Sequence, residues 1–147
     1  MIKRLYLMRH GQTMFNEQHR IQGWCDSPLT ELGKRQAKAA GEYFRTHGIT
    51  FDHAYCSTSE RCSDTLELIT DMPYTRLKGL KEMFYGQLEG ESERLSCKDP
   101  EKSITYYQQF GGDSRCGQGS DADCFTRHYG KGRPRKCTGS IPWSGLF

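Results

Sequence analysis

Arg9, His10 and Gly11 stand together at the end of an apolar-alternating run, and the trio can do phosphorus chemistry. Arginine offers a planar fork of N–H donors that fits phosphate oxygens two at a time. A neutral histidine can attack phosphorus, provided its other ring nitrogen is held in the right tautomer. Gly11 permits the tight turn that lets a ligand approach the backbone. A second cation, Arg61, follows Cys56-Ser57-Thr58-Ser59-Glu60 and lies in the first turn of a helical stretch holding Thr65, Leu66 and Ile69. A helix N-terminus projects free amides and partial positive charge, so a phosphate can settle there. Two guanidinium groups would stabilise the negative charge that a transferring phosphoryl group spreads over its oxygens. The pattern points to phosphoryl transfer.

Those residues need elements to hold them. Ile2, Leu5 and Leu7 on one side predict a short strand ending at Arg9 and His10, with the ligand crevice at its carboxyl end. Thr30 is a good N-cap after Pro28, and Leu32, Gln36, Ala39, Ala40, Tyr43 and Phe44 recur at helical spacing, so a helix is expected from Glu31 to Thr46, stopped by Gly48. Gln36 itself is read as part of a solvated face. Further strands are expected at Ile49 to Tyr55 and at Tyr74 to Leu80. Alternating strands and helices indicate an α/β fold with a mostly parallel, three-layer open sheet and helices on both faces. The loop from Gln12 to Leu29 is long and polar, as functional loops are, and Trp24 in it reads as a packing anchor.

Several separated signatures occur in a telling order. Arg9-His10-Gly11-Gln12-Thr13, Asn16, Gln22-Gly23-Trp24, Asp26, Pro28-Leu29-Thr30 and Gly33 resemble the opening of the histidine phosphatase superfamily, which includes the cofactor-dependent phosphoglycerate mutases. Ser57, Arg61 and Thr65 match a later family pattern, and the resemblance runs to about residue 95. It implies phosphohistidine formation at His10, with Arg9, Thr13, Asn16, the Gly23 backbone, Ser57 and Arg61 around the phosphate. Within Leu80-Lys81-Glu82 and Gly86-Gln87-Leu88-Glu89-Gly90 it makes Glu82 the general acid, with Glu89 as the rival. The mutase branch has arginine, histidine and tyrosine after that glutamate, whereas this chain has Met83, Phe84 and Tyr85. One cation for a second phosphate is thus missing. A phosphomonoester phosphatase is expected ahead of a mutase, with a non-catalytic phosphate-binding relic as a third reading.

Composition narrows the classes. The net charge of +3 suits small anionic substrates and is too small to indicate nucleic acid. No apolar run reaches the length of a membrane span and no secretion signal is seen, so the cytoplasm is the expected location. Seven cysteines without close pairing read as free thiols, and neither a metal nor another cofactor is expected. A cysteine-rich metal module on Cys116, Cys124, Cys137 and His128 is the remaining alternative, at loose spacings. The sequence leaves the oligomeric state open.

The chain contains no valine, which is unusual for a parallel sheet, and between Thr105 and Ser140 it has no Leu, Ile or Met either. Residues 1–110 are therefore read as the α/β domain, with Glu91 to Phe110 as a lid helix, and 111–147 as an irregular tail that buries too little apolar surface to order itself. Phe110-Gly111-Gly112-Asp113-Ser114 resembles a late family step, but the expected strand ending in a second histidine and glycine is absent. His128 follows no apolar strand and is a poor substitute. A reading-frame slip would account for the loss. Read one nucleotide on, Lys136 to Trp143 permit asparagine-valine-leucine-valine-valine-serine-histidine-glycine, and the codons at Ile141 and Pro142 decide the matter. A fold that loses this strand is expected to be of low stability, and a pocket that lacks the second histidine to have impaired activity, weak or nil.

Overall fold

The computed structural model describes residues 4–113. In chain order the elements are α1 (Met14–Glu17), α2 (Glu31–Thr46), β1 (Ala54–Ser57), α3 (Glu60–Ile69), β2 (Tyr74–Leu77) and α4 (Ser103–Gln108), with single 3-10 turns at Lys78–Leu80, Gly86–Leu88 and Glu93–Leu95. β1 and β2 pair in parallel, Ala54 opposite Tyr74 and Ser57 opposite Leu77, and α3 makes the crossover. The architecture is mixed α/β around a small parallel sheet.

α2 begins and ends where capping chemistry places it. The Thr30 hydroxyl accepts the Gly33 amide at 3.1 Å, and Gly48 lies just past the C-cap with a φ of 62°. Its inner face differs from the apolar pattern, because the buried positions are Gly33, Ala37, Gly41 and Phe44, while Ala39 and Tyr43 are exposed. Glycines contribute nothing to an apolar count, yet they allow backbones to meet. A Cβ on Gly11 would lie 2.5 Å from the Gly33 carbonyl oxygen, and one on Gly33 would overlap the Gln12 carbonyl. The loop after His10 is therefore seated directly on the first turn of α2.

The N-terminal run is the largest departure. Among the described residues, 4–10 have no ladder partner, and the face is reversed: Tyr6 and Met8 pack inward, whereas Leu5 is 46% and Leu7 70% exposed. Ile2 lies outside the described residues. The reason is aromatic: Tyr6 meets Phe44 and Phe51 edge-on with centroids 5.5 and 5.6 Å away, burying more surface than a leucine there would. Ala37, Phe44 and Ile69 centre this cluster, and Ile49 and Phe51 join it as side chains of a loop. β1 starts only at Ala54, so Cys56 and Ser57 lie in the strand, not after it. β2 ends at Leu77 and turns into a 3-10 step.

A second cluster, Ile21, Leu88 and Tyr107, ties the polar loop to the segment after β2. The expected lid helix over Glu91 to Phe110 is confined to α4, preceded by the Glu93–Leu95 turn. Pro100 and the Ser92 and Ser96 turns interrupt any longer helix. Asp113 exchanges backbone hydrogen bonds with Phe84. His128, the three tail cysteines and the segment read as frame-slipped lie outside the described residues. Among those described, no helix is long and apolar enough to cross a membrane.

Candidate active site

His10 Nδ1 lies 2.8 Å from the Gly11 carbonyl oxygen. A carbonyl only accepts, so Nδ1 carries the hydrogen and Nε2 keeps its lone pair. The Gly11 amide donates to the buried Thr65 hydroxyl at 3.0 Å, and that hydroxyl donates to the Arg61 carbonyl one turn earlier at 2.7 Å. Two consecutive hydrogen bonds thus join the histidine loop to the start of α3.

Arg61 is 3% exposed. Its Nη1 donates to Asp26 Oδ1 at 3.0 Å and to the Cys25 carbonyl at 3.2 Å, and Nη2 donates to the Gly23 carbonyl at 2.9 Å. Its Nε is buried without a partner among the described residues. A guanidinium has five N–H groups, so two are left to offer. Asp26 uses its other oxygen on the Glu60 amide at 2.5 Å. The first amide of α3, expected to stand open to a phosphate, is therefore capped by a carboxylate from the loop.

Burial pushes the His10 pKa below its ordinary 6.5, the Gly11 hydrogen bond opposes this, and the Arg61 and Arg9 guanidiniums lower it further against a smaller upward pull from Asp26. The imidazole is therefore predominantly neutral at neutral pH. Folding also disfavours its protonation, so the stability it contributes is present above pH 6.5 and is lost as pH falls through 6.5 toward the folded value. Nitrogen-detected NMR titration should find His10 titrating below 6.5, and Arg61→Met should move it upward because one downward electrostatic contribution is removed.

The remaining expected residues fall into two groups. Arg9 is exposed and acts electrostatically on both His10 and Tyr85. Glu82 is exposed, its Oε1 accepting the Met83 amide at 3.0 Å with the Tyr85 hydroxyl 3.5 Å away. Burial, then the Glu82 carboxylate, pushes the Tyr85 phenol far above its usual range, so it stays a donor. By contrast Thr13 and Ser57 are buried and serve the scaffold. Thr13 closes a capping box with Asn16, whose Oδ1 accepts the Thr13 amide at 3.0 Å, and Ser57 Oγ accepts the Ser59 amide at 3.3 Å. The donor that Asn16 retains is Nδ2. The Gly23 carbonyl is taken by Arg61, which leaves its amide for a ligand.

Four further residues have partners that local spacing did not indicate. Asp26 pairs with Arg61 across 35 positions, and Gln36 Oε1 accepts the Gln12 amide at 3.0 Å instead of facing solvent. Tyr85 borders Glu82. Glu89 accepts the amides of Trp24 and Cys25 at 2.7 Å each and of Tyr85 at 3.2 Å. Trp24 is both anchor and surface: its Nε1 donates to the Glu82 carbonyl at 3.0 Å, its ring meets Phe84 and lies under Lys81, and it is 42% exposed. Among the described residues no group of three His, Cys, Asp or Glu side chains could hold a metal.

The sequence model of the histidine phosphatase superfamily, branch 1, matches residues 5–128. The chain belongs to this superfamily. Within it the chain is phosphoglycerate mutase-like, 39% identical over 95 residues to a 2,3-bisphosphoglycerate-dependent phosphoglycerate mutase of Hamiltonella defensa, a match covering 60% of this chain and 38% of the mutase. The matched part is thus well under half the length of that relative. Among solved structures it is similar to Bacillus stearothermophilus YhfR, at 27% identity and a TM-score of 0.64 over 83% of this chain and 67% of that one. It is also similar to a mycobacterial glucosyl-3-phosphoglycerate phosphatase in complex with VO3, at 28% identity and a TM-score of 0.58, covering 72% and 56% of the two chains. The relatives of this superfamily member include phosphatases and phosphoglycerate mutases.

Proposed function

We propose that this chain is a phosphomonoester phosphatase working through phosphohistidine at His10, and the observation that carries this is the Nδ1–H bond to the Gly11 carbonyl, which leaves Nε2 free beside a buried guanidinium with donors to spare. In the first half-reaction Nε2 attacks phosphorus and the P–O bond to the leaving group breaks. The departing oxygen takes the Glu82 proton. Arg61, Arg9, Asn16 Nδ2 and the Gly23 amide hold the equatorial oxygens, where charge accumulates. In the second, the Glu82 carboxylate takes a proton from water, the water oxygen bonds to phosphorus, and the P–N bond breaks to return His10 and inorganic phosphate. Splitting hydrolysis into two displacements is the ordinary logic of a covalent intermediate. Met83 and Phe84, standing where mutases carry arginine and histidine, favour water over a second phosphorylated acceptor.

The catalytic groups of this reading all lie within residues 1–110. Full-chain protein assayed with p-nitrophenyl phosphate, with and without orthovanadate, tests it: turnover that vanadate inhibits is expected. Vanadate binding without turnover would favour the relic, and phosphoryl transfer to a phosphoglycerate in preference to water would favour the mutase.

A further inference from the structure

Glu89 accepts three backbone amides and donates to nothing in the reaction above, which leaves its purpose open. We propose that Glu89 is a positioning residue for Arg61, holding the 23–25 strap whose carbonyls hold the guanidinium. The inference rests on Arg61 gripping the phosphoryl group as proposed.

The decisive unit is the peptide between Gly23 and Trp24. A trans peptide points its N–H and C=O to opposite sides, and no described peptide is cis. The N–H of this unit donates to Glu89 Oε1 at 2.7 Å, and its carbonyl accepts Arg61 Nη2 at 2.9 Å. Fixing one end aims the other. The next amide, Cys25, donates to Glu89 Oε2 at 2.7 Å, and the Cys25 carbonyl takes Nη1. Gly23 has a φ of 53°, and a Cβ there would lie 2.5 Å from both Glu89 Oε1 and Tyr85 Cδ2, so the strap is pressed onto the carboxylate. Glu89 is itself rooted, because Leu88 is buried in the second cluster and the Gly90 amide donates to the Ile21 carbonyl at 2.7 Å. A carboxylate makes the stronger, charge-assisted kind of hydrogen bond to amides, and a carboxamide supplies only one accepting oxygen. Without the charge, the peptide is freer to rotate and Arg61 loses its preset geometry.

The test compares full-length wild type with Glu89→Gln, Glu89→Asp, Arg61→Met and, as a control in the same segment, Glu91→Gln, whose side chain is exposed. Orthovanadate affinity is measured by calorimetry, and turnover with an alkyl and an aryl phosphate. Glu89→Gln should weaken vanadate binding by about tenfold or more, the scale of one charged hydrogen bond, Glu89→Asp should restore part of that loss, and Glu91→Gln should change nothing. The ratio of alkyl to aryl turnover should stay constant, since proton donation does not involve Glu89. Wild-type vanadate affinity in Glu89→Gln, or in Glu89→Asp should the glutamine variant not fold, overturns the proposal. So does a selective loss of alkyl turnover, which would make Glu89 the acid. If the unsubstituted chain binds vanadate no better than Arg61→Met, the phosphatase reading itself fails and takes this inference with it.

Discussion

Replacing His10 with asparagine is expected to abolish phosphoryl uptake, lowering aryl phosphatase turnover by about a thousandfold or more while leaving the fold in place. The asparagine amide keeps a donor for the Gly11 carbonyl, which His10 Nδ1 contacts at 2.8 Å, but has no lone pair where Nε2 stood. Removing a nucleophile forfeits the covalent route entirely, and what survives is the modest catalysis that binding and charge stabilisation supply. The companion measurement uses a phosphomonoester labelled in its phosphoryl group. Wild type should retain label that is labile to acid and stable to alkali, and the variant should retain none. Label persisting in His10→Asn would place the nucleophile elsewhere and defeat the reading.

Arg61→Met should fail twice over. The guanidinium holds the Gly23 and Cys25 carbonyls and Asp26, so its loss strands three acceptors in a largely buried setting. Asp26 is 24% exposed, which eases the penalty, and the cost is about 3 kcal/mol, the lower end for breaking a buried pair. For a small domain that is a large share of total stability. Vanadate affinity should fall by about a hundredfold as well, on the scale of a lost oxyanion donor. Arg61→Lys separates the effects: it keeps the charge and recovers part of the melting temperature, but a point-like ammonium cannot reproduce the planar fork, so affinity stays low. Equal vanadate affinity in wild type and Arg61→Met would show that the anion sits elsewhere.

Much of the site was legible because its chemistry is written in short stretches. Arg9, His10 and Gly11 are neighbours, and α2 announces its start through Thr30, whose hydroxyl caps the Gly33 amide. Errors arose where packing overrode local pattern. Alternation put Leu5 and Leu7 inside, but Tyr6 had aromatic partners at Phe44 and Phe51 that no window around it contains. Gln36 looked solvated on a helix whose buried face is set partly by glycines, and its role depends on an amide 24 positions away.

The amino-acid sequence alone determined which groups are present for chemistry and which family their order belongs to: an imidazole, arginines and a carboxylate in separated motifs. Only the tertiary structure decided how they are used. The Gly11 carbonyl selects the His10 tautomer, Asp26 and two strap carbonyls occupy part of Arg61, and Glu89 spends its oxygens on the amides of Trp24, Cys25 and Tyr85. Covalent order fixes what each residue can donate or accept. Which partner it finds is set by packing between segments distant in the chain, and a carboxylate that looks like an acid in sequence becomes a brace once three amides converge on it.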